Sequence, residues 1–190
     1  MSLSTEDMLH GATLLSLIDE LDSLDKDITY RISKGEKKYC YELVINNKLN
    51  GNNLKIGLFI KSSRKRISPW RFTFSHENQH EIERLLQSTN YLFLLLITDQ
   101  EGVAVIDYPT LKKLLDDHFD NSEWISVRRK LRENYRVSGK DGKLDRALPK
   151  NSFPKIISEY IEKNIKSDQK STKKTNFFKK LLKKTSGEIT

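Results

Sequence analysis

The sequence predicts an α/β (α+β) domain in which helices flank a single mixed β-sheet, followed by a basic C-terminal tail. Three observations predict it: β-rich runs that punctuate the first half, the almost wholly apolar "YLFLLLI" at 91–97, and amphipathic helical spacing at 5–24 and 76–88. The single domain is expected over residues 3–157, and the tail over 158–190.

The elements follow in order. Over 5–24, Thr5 is the expected N-cap, Glu6 and Asp7 occupy the first turn, and Met8, Leu14, Leu15, Ile18 and Leu21 fall near helical spacing. "ITYRISKGEKKYCYELVI" is two β-rich runs around Lys34-Gly35-Glu36-Lys37, a hairpin signal. "LNGNN" is a turn, and "LKIGLFIKS" a third strand. "RFTFS" is a short fourth, and Ser75 is placed to cap a helix over "HENQHEIERLLQS". "YLFLLLI" is too short to span a membrane and reads as a central strand covered on both faces. After it come a strand "VAVID", a helix "PTLKKLLDDHF" beginning at Pro109, and strands "EWISVRR" and "NYRVSG" with the turn "SGKDGK". "PKIISEYIEKNI" reads as a last helix, "KSDQKSTKK" as a polar linker, and "NFFKKLLKK" places Phe177, Phe178, Leu181 and Leu182 on one helical face.

The net charge is +8, unevenly placed. Residues 1–27 carry seven acids against Lys26, while residues 162–190 carry nine lysines against three acids. The two ends cancel, so the excess belongs to the middle. Cys40 is the only cysteine, which excludes an internal disulfide and a cysteine-based zinc site; its strand context suggests packing. The acidic N-terminus does not resemble a secretory signal, and the expected location is cytoplasmic.

Neither a Gly-rich phosphate loop nor a GxSxG elbow occurs, which argues against conventional nucleotide binding and triad chemistry. His76-Glu77-Asn78-Gln79-His80 matches HExxH literally. Its histidines fall in a polar first helical turn after a strand, so a solvated helix start is the expectation, and no metal site is assigned.

The informative stretch is "GLFIKSSRKRISPWRFTFS", 57–75. Lys61, Arg64, Lys65, Arg66 and Arg71 place five cations within eleven residues and no acid. Such a connection repels itself unless it meets an anion. Arg66 and Arg71 can fork onto phosphate, and Trp70 offers a face for base stacking. "SVRRKLRENYRVSGKDGKLDR" adds Arg128, Arg129, Lys130, Arg132 and Arg136. Two arginine-rich segments suit a phosphate-contacting surface. Solubility alone would be served as well by lysine.

A helix, three antiparallel strands with "LFIKSS" on the third, a helix and the buried strand "YLFLLLI" together resemble the core of the PD-(D/E)xK, restriction-endonuclease-like superfamily over about residues 5–106. The resemblance implies an acid on the second strand, an acid two residues before a lysine on the third, and a divalent metal between them. Lys61 matches that lysine and Glu42 the second-strand acid, but Phe59 stands where the metal-binding acid belongs. Phenylalanine offers Mg²⁺ no oxygen ligand, and Glu20 would have to substitute from the first helix.

The expected function is therefore nucleic-acid binding without catalysis on a nuclease-like fold. Arg64, Lys65, Arg66 and Arg71 supply charge, Trp70 stacking, and Arg128, Arg129, Arg132 and Arg136 a second contact line. One alternative is an active Mg²⁺-dependent nuclease using Glu42, Lys61 and a non-standard acid from elsewhere in the chain. Another is a protein-interaction module, with or without homo-oligomerisation, whose residues 172–190 dock on a protein partner or an anionic membrane.

Overall fold

The computed structural model describes residues 4–49, 51–116 and 122–165. The expected amphipathic tail segment and His118 lie outside them.

The chain opens with α1 (Thr5–Leu21). Its cap is Ser4 rather than Thr5: the Ser4 hydroxyl accepts from the Asp7 amide, and the Asp7 carboxylate accepts the Ser4 amide in return. Then come β1 (Ile28–Lys34), β2 (Cys40–Asn47) and β3 (Asn53–Ser63), an antiparallel meander. The Gly35 amide donates to the Cys40 carbonyl at 2.8 Å where the first hairpin turns. β4 (Trp70–Phe74) leads into α2 (His76–Ser88), capped as expected by Ser75 with Asn78 as its reciprocal partner. β5 (Tyr91–Thr98) runs parallel to β3 and antiparallel to β6 (Val103–Asp107).

The expected helix from Pro109 is realised only as a single turn, α3 (Tyr108–Leu111), followed by hydrogen-bonded turns to Leu115. β7 (Glu123–Arg128) and β8 (Arg136–Gly139) follow. A last helix, α4, covers residues 155–165 and spans the expected domain boundary at 157, contributing Ile157 and Ile161 to the core.

The strands form two sheets, not one. A five-stranded mixed sheet has the order β1-β2-β3-β5-β6, and a three-stranded antiparallel sheet the order β4-β7-β8. Alternation along β5 explains the layering: Leu92, Leu94 and Leu96 enter one apolar cluster, Phe93, Leu95 and Ile97 the other. The second cluster is closed by Leu17 and Leu21 of α1 and by α4, and the Ser158 hydroxyl of α4 donates to Glu20 of α1 at 2.5 Å. The first is closed by Ile82 and Leu85 of α2 and by the inner face of the small sheet, including Trp70, Phe72, Ile125, Val127 and Val137. Cys40 packs in this cluster, and burial pushes its thiol up to about 12. Among the described residues no helix is long and apolar enough to cross a membrane.

Candidate nucleic-acid interface

The small sheet packs inward through every second residue, so the intervening residues form an outer face. On it lie Arg71 and Thr73 of β4, Trp124, Ser126 and Arg128 of β7, and Arg136 and Ser138 of β8. Arg71 pairs with Ser126, Thr73 with Trp124, and Arg128 directly with Arg136. Like charges placed opposite one another across a ladder destabilise it. Among the described residues no carboxylate pairs with Arg71, Arg128 or Arg136. The Arg71 guanidinium instead lies 4.3 Å from the Trp124 ring centroid.

The two arginine-rich segments meet. The Ser68 hydroxyl, at the end of the cationic connection, accepts the Arg129 amide at 3.0 Å, and the Trp70 indole N–H donates to the Lys65 carbonyl at 2.7 Å. The first bond holds the connection against the end of β7, and the second folds it back onto the start of β4. Between the connection and β7 opens a cleft of about 410 Å³ lined by Ser68, Arg128, Arg129, Lys130, Glu133 and Arg136. Glu133 is its one acid. Arg64, Lys65 and Arg66 are exposed on the connection, and Lys65 Nζ donates to the Pro69 carbonyl at 3.1 Å. Arg132 is exposed at the turn beyond β7, with φ 64°.

Three sequence expectations are corrected. Trp70 is 1% exposed and packs edge-on to Tyr135, so it has no face for a base; its indole belongs to the core. Arg129 turns inward: its side chain is only 7% exposed and is paired to Glu101, which takes it off the phosphate-contacting line. Glu42 and Lys61 do not converge. Both lie on the α2 side of the large sheet, but Glu42 is opposite Gly57, four residues or about 13 Å along β3 from Lys61. The fully buried Phe59 lies between them.

Lys61 instead donates to Asn78 Oδ1 at 2.6 Å and lies 5.2 Å from the Phe74 ring centroid. Burial holds its ammonium below the usual lysine range. Glu20 is bonded to Ser158 on the opposite face of the sheet, so it does not complete a metal site with Lys61. His76 and His80 touch edge-on at 4.4 Å, and His80 faces Glu83, but no third ligating group joins them among the described residues.

Two features escaped the sequence reading. Trp124 was detectable, because the two-residue period of "EWISVRR" puts it in phase with Arg128. The group Asp116, Glu123 and Asp141, whose carboxylate oxygens lie within 4.8 Å of one another, was not, since its members come from separate segments. Lys140 bonds Glu123 at 2.8 Å within it, and that hydrogen bond raises the lysine's pKa.

Compared with family models, curated proteins and solved structures, the chain matches none.

Proposed function

We propose that this protein binds nucleic acid without cutting it, mainly through backbone phosphates, on the outer face of the small sheet and the cleft beside it. One observation carries the reading: Arg128 and Arg136 face each other with no carboxylate partner among the described residues, at the edge of a cleft that also holds Lys130. A cross-strand arginine pair is unfavourable until an anion lies between the two guanidiniums, and a phosphate can accept from both. Arg71 continues the charge along the face, and Arg64, Lys65 and Arg66 continue it along the connection.

The order of α1, the β1–β2–β3 meander, α2 and then β5 parallel to β3 supports reading the large sheet as a restriction-endonuclease-like core. The separation of Glu42 from Lys61 and the phenylalanine at 59 support loss of cleavage.

The test is fluorescence anisotropy of labelled DNA and RNA probes against salt, with Mg²⁺ present and the probes checked afterwards for cleavage. The expected result is salt-dependent binding with intact probes, weakened in the Arg128→Gln/Arg136→Gln variant. Its log–log salt slope should fall by about one to two, because each phosphate contact contributes about 0.7–0.9. The Arg64/Lys65/Arg66 triple alanine variant should weaken binding in the same way. Unchanged affinity in both variants would assign binding elsewhere, including the basic tail, and metal-dependent cleavage abolished by Lys61→Ala would restore the nuclease.

A further inference from the structure

We infer that the nucleic acid taken by this face is single-stranded, with one base stacked on the Arg71–Trp124 pair. The inference rests on the phosphate-binding reading above and names its substrate class. A duplex bound through phosphates alone needs no aromatic ring on the contact surface, because its base faces are already stacked inside it. Here a half-buried tryptophan stands on the outer face of the small sheet, on the same side as Arg71, Arg128 and Arg136, which pair with no carboxylate among the described residues.

The other aromatics of this region are withdrawn. Trp70 and Tyr135 are 1% and 0% exposed, so Trp124 is the ring the outer face presents. Its cross-strand and same-strand neighbours on that face, Thr73 and Ser126, are small hydroxyl residues. The Arg71 guanidinium lies over the indole, 4.3 Å from the ring centroid, so a base stacks on the guanidinium that covers the ring, and guanidinium planes and aromatic faces both serve that contact. Arg128 follows Trp124 by four residues on the same face of β7, about 13 Å along the strand. A short single strand can therefore place a base on the Arg71–Trp124 pair and a neighbouring phosphate between Arg128 and Arg136.

The experiment compares a short labelled oligodeoxythymidine with a duplex of the same length, using the full chain. Tighter binding of the single strand is expected. Trp124→Leu, which keeps an apolar side chain, should weaken it by about five- to a hundred-fold while leaving the duplex unaffected, and Trp124→Phe should retain most of the affinity. Intrinsic tryptophan fluorescence should be quenched by the single strand in the wild type and not in Trp124→Phe, a readout that stands even if Trp124→Leu does not fold. Equal weakening of both probes, no effect of Trp124→Leu, or no quenching would overturn the stacking inference while phosphate binding remained. Failure of both probes to bind would overturn both readings.

Discussion

Arg129 and Glu101 form an ion pair that ties the end of β7 to the turn between β5 and β6, with Lys150 Nζ 3.6 Å from the same carboxylate oxygen. Arg128, its neighbour in sequence, lies on the outer face and has no such partner among the described residues. Adjacent arginines at the end of β7 thus have different physical roles, the first an exposed charge and the second a structural strut.

That difference predicts opposite responses to mutation. Arg129→Ala should lose about 1–3 kcal/mol of stability in chemical denaturation, below the usual range for a fully buried pair because Glu101 is partly exposed and keeps Lys150. Arg128→Ala should stay within about 0.5 kcal/mol of the wild type, or gain stability, since it relieves the cross-strand repulsion with Arg136. An equal loss in the two variants would contradict the assignment.

Glu101 also predicts a pH dependence. The Arg129 hydrogen bond, opposed in part by desolvation, holds its carboxyl below the usual carboxylate range. With the folded-state value depressed, the contribution to stability is present above the unfolded carboxylate pKa and is lost as pH falls through the folded one. Acid titration of denaturation midpoints should therefore show a smaller drop below about pH 4 in Arg129→Gln than in the wild type. Parallel curves would show that the pair does not set the acid limb.

Lys61 predicts a slope of the same sign at the alkaline end. Its folded-state pKa is lowered by burial, so the unfolded chain binds the proton more readily and stability rises as pH climbs through the folded value toward 10.5. Lys61→Met removes the desolvated ammonium and keeps an unbranched side chain over Phe74. Stability at neutral pH should change by less than about 1 kcal/mol, and the alkaline rise should shrink. A larger loss would mean that the bond to Asn78 outweighs desolvation.

Gly139 predicts a severe packing defect. A Cβ built there would lie 2.0 Å from the Leu114 carbonyl oxygen and 2.9 Å from the Leu114 Cβ, where β8 meets the turn after α3. Backbone must move to admit it, so Gly139→Ala should cost at least about 1–3 kcal/mol in thermal or chemical denaturation. A wild-type melting temperature would show that the close approach is not required.

Much of the fold was legible in the sequence because its signals are local. Ser75 caps α2 through an amide three residues away, and the unbroken apolar run of β5 records burial on both faces. In β7 a two-residue period distinguishes the inward Ile125 and Val127 from the outward Trp124 and Arg128. The arginine-rich segments were equally visible, since charge density is a property of composition.

Only the tertiary structure decided how those segments are used. Separation of the small sheet from the large one depends on long-range pairing of β4 with β7, which no local signal encodes. That pairing buries Trp70 and leaves Trp124 outside, although each is a tryptophan in a strand that carries one arginine. The pairing of β7 with β8 sets Arg128 opposite Arg136, while the chain beyond β7 turns Arg129 toward Glu101. Residue type and spacing fix what a side chain can do chemically; burial and cross-strand partners fix which of those chemistries remains available, because they determine what it has already bonded.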